Sequence, residues 1–116
     1  MTLTPKDAGW IEVICGSMFS GKTEELIRRL RRAQIAQMHT IIFKPRIDSR
    51  YSETHIVSHN NMKLESHLVN TPQEILEIVE NASVVAIDEA QFFNNSILDV
   101  CKILVSQGKR VVVAGL

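Results

Sequence analysis

An α/β fold, with a parallel sheet flanked by helices, is predicted by three features of the sequence. Short apolar runs alternate with segments of helical periodicity along the whole chain. Two of those runs, Ser83-Val84-Val85-Ala86-Ile87 and Arg110-Val111-Val112-Val113-Ala114, are apolar almost throughout. Strands read that way when helices cover both faces of their sheet. The third feature is a strand-to-helix junction, Gly16-Ser17-Met18-Phe19-Ser20-Gly21-Lys22-Thr23, which satisfies G-x-x-x-x-G-K-[ST]. The expected architecture is therefore a P-loop NTPase-like parallel sheet, with a β-hairpin added around residues 54–66.

Composition narrows the class. The 116 residues suffice for one domain with a substantial core, yet are few for a complete nucleotide enzyme. Thirteen basic and 13 acidic side chains cancel, so no global field favours a nucleic-acid or membrane partner. No apolar run approaches the ~20 residues of a membrane helix. The first ten residues, MTLTPKDAGW, carry no apolar core of a signal peptide. Cys15 and Cys101 lie far apart in apolar surroundings, which predicts buried free thiols in a reducing, cytoplasmic compartment.

Residues 1–9, with Pro5 and Gly9, read as a flexible lead, and 10–116 as a nucleotide-binding domain. The run Ile11–Cys15 reads as a buried strand. The loop's glycines allow tight turns and close approach of backbone to phosphate, while its amides and the positive end of the next helix form an anion site. Lys22 is expected at the terminal phosphates, and Thr23 offers its hydroxyl to magnesium. The helix from about Lys22 to Met38 carries apolar Leu26, Ile27, Leu30, Ala33 and Ile35. Its basic face, Arg28, Arg29, Arg31 and Arg32, has Glu24 and Glu25 one turn earlier, and a solvated, internally paired face is expected.

A short strand, Thr40–Phe43, runs into the charged loop Lys44-Pro45-Arg46-Ile47-Asp48-Ser49-Arg50-Tyr51. Ligands of open α/β sheets bind beyond the carboxyl ends of strands, which makes Arg46, Asp48 and Arg50 candidates for substrate or phosphate contact. Ile56-Val57 and Met62-Lys63-Leu64 flank Ser58-His59-Asn60-Asn61, a hairpin turn signal. Thr71-Pro72-Gln73-Glu74 is a helix-start signal with a capping box. A third helix, capped by Asn94, Asn95 or Ser96, has Ile97, Leu98, Cys101, Leu104 and Val105 as its apolar positions and breaks at Gly108. The closing valine-rich strand is expected in the sheet interior.

The strand at Ile87 runs directly into Asp88-Glu89-Ala90-Gln91-Phe92-Phe93. A strand-end Asp is the usual companion of a phosphate loop, because it serves magnesium. Glu89 beside it can take a proton from an attacking hydroxyl, as in a small-molecule kinase, or align water, as in an ATPase.

The segments G-S-M-F-S-G-K-T, K-P-R-I-D-S-R-Y, V-S-H-N and I-D-E-A-Q-F-F, in this order and spacing, resemble the type II (cytosolic-type) thymidine kinases. The resemblance spans residues 10–116. It implies transfer of the γ-phosphate of ATP to the 5′-hydroxyl of thymidine, with Gly16–Thr23 and the Asp88–Gln91 turn around ATP, Thr23 and Asp88 at Mg2+, and Glu89 as general base. It also implies Asp48 and Arg50 at the reacting end of the site, with Met18 and Phe92 walling the nucleoside pocket. Members of that family continue beyond V-A-G-L into a D-x-D-F-R-G-type segment, a zinc-binding cysteine cluster and a lasso-like loop, and commonly form tetramers. This sequence is thus expected to be a truncated product or the ATP-binding half, holding none of the zinc ligands and inactive by itself. Such a half is a nucleotide-binding or assembly module, the alternative to a kinase or a P-loop ATPase.

Overall fold

The computed structural model describes residues 8–16, 21–46, 55–57 and 63–115. In chain order the elements are β1 (Trp10–Ile14), α1 (Lys22–Ile35), β2 (Thr40–Pro45), β3 (His55–Val57), β4 (Lys63–Val69), α2 (Gln73–Ile78), β5 (Val84–Ile87), a 3-10 turn (Ala90–Phe92), α3 (Ser96–Ser106) and β6 (Arg110–Ala114). The strands form one sheet in the order β1-β6-β5-β2-β4-β3, parallel throughout except for β3 against β4. The α/β fold expected from the alternating pattern is the fold observed.

Strand alternation sorts the core into two layers. Val84 and Ala86 of β5, Val112 and Ala114 of β6, and Ile42 of β2 pack with Leu26 and Leu30 of α1. The intervening Val85, Ile87, Val111, Ile41 and Phe43 pack with Ile75 of α2 and Ile97, Val100 and Leu104 of α3. All four residues of β5 are fully buried, and Val84, Val85 and Ile87 each contribute about 1.5–3 kcal/mol by leaving water.

Local signals work largely as the sequence implies. Gly21 caps α1 with φ +83. A Cβ there would meet nothing within 4 Å, so the backbone angle and not space demands glycine. Glu74 accepts hydrogen bonds from the Thr71 amide at 2.6 Å and the Asn70 amide at 2.7 Å, the reaching-back half of a capping box. Asn94, of the three candidate caps, receives the Ser96 amide at 2.9 Å. Gly108 turns the chain out of α3 with φ +83. Lys109 is buried because its ammonium donates to the carbonyls of Ala82 at 2.6 Å and Glu80 at 3.0 Å, closing the end of α2. Glu25 pairs with Arg28 and Arg29, so those two arginines of the α1 basic face are internally paired as expected.

Four expectations are corrected. β1 is not a buried strand: it bonds to β6 alone, and its Ile11 and Val13 are 44% and 60% exposed. Cys15, just past its end, is therefore exposed, while Cys101 is buried as expected. Ile35 and Leu98 lie on exposed helix faces, because α1 and α3 each offer the sheet a narrower apolar stripe than their composition suggests. The hairpin is real, but β4 runs on to Val69 and joins β2 in parallel, which makes it a member of the main sheet. β6 lies in the sheet interior as expected, between β1 and β5. Among the described residues no helix is long and apolar enough to cross a membrane.

Candidate functional site

The carboxyl ends of β1, β6, β5 and β2 share one edge of the sheet, and the side chains singled out in the sequence gather there. α1 begins directly after Gly21 and lies on the same face as Ala86, so Thr23 in its first turn reaches across to the end of β5. The Thr23 hydroxyl donates to Asp88 Oδ2 at 3.5 Å. Lys22 occupies the first position of the helix and is half-buried.

Asp88 is only 2% exposed. Its backbone amide donates to the Phe43 carbonyl of β2 at 2.9 Å, which carries sheet pairing one residue beyond β5. Its Oδ1 accepts the Glu89 amide at 2.9 Å. Burial raises the pKa of this carboxyl, and the nearby Glu89 charge adds to the rise. The Lys44 ammonium, the Glu89 amide and the Thr23 hydroxyl oppose it.

Glu89 leaves the strand in a left-handed conformation, φ 55 and ψ 41. A non-glycine residue rarely adopts that geometry, and here it swings the chain from β5 into the 3-10 turn. The turn is closed by the Phe92 amide donating to the Glu89 carbonyl at 3.1 Å. Gly115, at the end of β6, braces it from below. The Gly115 amide donates to the Ile14 carbonyl at 3.3 Å, and a Cβ at Gly115 would stand 3.1 Å from the Ala90 nitrogen and 3.2 Å from that of Gln91. The phosphate-loop strand and the Glu89 turn therefore touch through one glycine.

Not every candidate converges. Gln91 and Phe92 are exposed on the turn, Phe92 by 53%. Arg46 is exposed and directs its guanidinium to the Leu68 carbonyl at 3.4 Å, so it serves β4. Ser17, Met18, Phe19, Ser20, Asp48 and Arg50 lie outside the described residues, whereas Gly16 and Gly21 at the two ends of the loop lie within them. An apolar groove of about 270 Å³, lined by Ile11, Val13, Leu98 and Cys101 and reaching Ala90 and Gln91 of the turn, lies on the α3 face of the sheet, opposite the α1 face from which Thr23 meets Asp88. Lys44 is the residue that inspection of the sequence did not single out. Only the pairing of β2 with β5 brings it to Asp88.

A magnesium ion asks one or two oxygen ligands of a protein and takes the rest from phosphates and water. The adjacent Thr23 hydroxyl and buried Asp88 carboxylate fit that demand. Zinc does not fit the residues present: among those described, no three His, Cys, Asp or Glu side chains converge. Cys15 and Cys101 sit on β1's end and inside α3 respectively.

A family model described as thymidine kinase matches residues 9–116. The chain is similar to a curated thymidine kinase of Rhodothermus sp. (strain ITI 518), with 63% identity over 108 residues. That match covers 93% of this chain and 51% of the relative, so the chain spans about half the length of the curated relative it matches.

Proposed function

The chain belongs to the thymidine kinase family, and on that premise we propose that the whole protein transfers the γ-phosphate of ATP to the 5′-hydroxyl of thymidine. The observation that carries this is the meeting of Thr23, Asp88 and Glu89 at the carboxyl edge of the sheet, at the first turn of α1. Gly16–Thr23 cradle the triphosphate, with the amides of the α1 N-terminus and the Lys22 ammonium facing its oxygens. Thr23 and Asp88 are the residues that would hold magnesium. When bound, magnesium supplies neutralisation of the charge that builds on the phosphate oxygens.

Glu89 is the general base. It takes the proton of the 5′-hydroxyl as the acceptor oxygen bonds to phosphorus, and the bond from phosphorus to the ADP oxygen breaks. The left-handed turn supports this role, since it carries Glu89 out of the β5 stack and leaves its side chain at the sheet edge. Asp88–Gln91 line the nucleotide side; Met18, Asp48, Arg50 and Phe92 belong to the acceptor side by family resemblance. The 53% exposure of Phe92 is compatible with a side chain that awaits a ligand. A cytoplasmic, homo-oligomeric protein, tetrameric as is common in the family, with no nucleic-acid or membrane partner, completes the proposal.

Glu89→Gln in the full-length protein tests the assignment. A fall in kcat of about 10²–10⁴-fold, with ATP binding retained, is the expected outcome. Turnover near that of the parent sinks the base assignment. ATP hydrolysis that ignores thymidine and still depends on Glu89 would assign the residue to water instead.

A further inference from the structure

β2 and β5 run side by side in strict register, from Thr40 opposite Val84 to Phe43 opposite Ile87. The Asp88 amide continues that pairing by donating to the Phe43 carbonyl. One further step sets Lys44 opposite Asp88. Side chains alternate along a strand, and Ile42 and Ala86, the pair two residues earlier, both pack under α1. Lys44 and Asp88 therefore project on the α1 face, the face from which Thr23 reaches Asp88. On its other flank Lys44 stands opposite Leu68 of β4, which is apolar.

The result is a half-buried ammonium with a carboxylate on one side and a hydrocarbon wall on the other. Among the described residues its electrostatic neighbour is Asp88, and it makes no hydrogen bond or salt bridge. Lys44 keeps part of its surface in water and makes no fixed hydrogen bond, so its ammonium is available to an anion brought beside Asp88. The strand order says where that anion comes from. Asp88 leaves β5, β1 lies two strands away on one side of it, and Lys44 leaves β2 on the other side. A phosphoryl group held beside Asp88 at the N-terminal turn of α1 would thus have Lys44 on the flank that faces β2.

We propose that Lys44 is a catalytic residue that contacts the phosphoryl group in transit from the flank that faces β2. The inference rests on the phosphoryl-transfer function proposed above. As the bond to the ADP oxygen breaks and the bond to the acceptor oxygen forms, the proton passes to Glu89 and negative charge gathers on the equatorial oxygens. Lys22 and Lys44 share that charge. An interaction made chiefly in the transition state raises kcat and leaves KM for ATP almost unchanged.

Steady-state kinetics of the full-length protein with Lys44→Met and Lys44→Arg, at saturating ATP, thymidine and magnesium, test this. Lys44→Met is expected to lower kcat by about 100-fold, with KM for ATP within about threefold of the parent. Lys44→Arg, which keeps the charge, retains more of the rate than Lys44→Met. An unchanged kcat in Lys44→Met overturns the proposal. So does a loss that disappears as magnesium is raised, because Lys44 would then act only by helping Asp88 hold the ion. Lys44→Gln gives the same measurement if the methionine variant does not fold. Full activity in both Lys22→Ala and Glu89→Gln would overturn the phosphoryl-transfer function itself. Loss in those two, with full activity in Lys44→Met, would overturn only the role of Lys44.

Discussion

β5 and β1 both deliver a part of the candidate site, and they are held in opposite ways. β5 lies in the middle of the sheet, paired on both edges and covered on both faces, with Val84, Val85, Ala86 and Ile87 all fully buried. β1 bonds only to β6 and leaves Ile11 and Val13 open on the α3 face. On its other face β1 is secured by one buried side chain, Ile14 in the layer under α1, and by an ionic network. Glu12 receives hydrogen bonds from the Arg110 guanidinium of β6 at 2.5 and 3.0 Å and from Arg29 of α1 at 3.0 Å, and Arg29 returns to Glu25 at 2.8 Å. The contrast separates two ways of placing chemistry. Asp88 is fixed by close packing on every side, whereas the start of the phosphate loop is fixed by charge, by register and by the single buried Ile14.

The largest effect is expected in the packed strand. Ile87→Ala removes a fully buried side chain between Phe43 and α3 and should cost about 2–5 kcal/mol in chemical unfolding. A cost below about 1 kcal/mol would mean that the layer collapses around the gap, and that close packing is not what fixes Asp88. Glu12→Gln is expected to cost about 1 kcal/mol at neutral pH, since its partners are partly exposed.

The same network has a pH signature. The hydrogen bonding of Arg110 is the first cause that holds the Glu12 carboxyl down at about 2, against an ordinary value of 4.5; burial opposes it, and the Trp10 hydrogen bond, the Arg110 charge and Arg29 add to it. A depressed folded-state pKa gives stability that is complete above pH 4.5 and fades as pH falls toward 2. Melting curves of the parent and Glu12→Gln should therefore converge over that interval. A gap that persists at pH 2 would show that packing of the side chain, and not its charge, secures β1. The smallest effect belongs to Val13→Thr, at most about 0.5 kcal/mol on an open surface. A cost above about 1 kcal/mol in the full-length protein would show that the β1 strip is covered there.

Much of this protein is legible in the sequence because its signals are local. The glycines and Lys22-Thr23 of the loop mark a strand-to-helix junction, and Gly21 indeed holds a left-handed cap. Asp88 and Glu89 at the end of an apolar run mark a strand edge, and Glu74 marks a helix start. Less legible was the apolar content of Ile11, Val13, Ile35 and Leu98, since composition reports that a residue is apolar and not whether anything reaches it. Gly115 gave no signal beyond its type, although it touches both the β1 end and the Glu89 turn.

The sequence by itself determined the class of fold, the two ends of the phosphate loop and the carboxylate pair, each written within a few consecutive residues whose backbone preferences and hydrophobic period fix their local form. Only the tertiary structure decided which strands are neighbours. Pairing between β2 and β5 joins residues more than forty positions apart, and nothing within either segment encodes it. That pairing placed Lys44 beside Asp88, as the pairing of β6 with both β1 and β5 set Gly115 between the loop strand and the Glu89 turn. Register is a property of two strands together, so the chemistry that depends on it emerges only when the sheet is assembled.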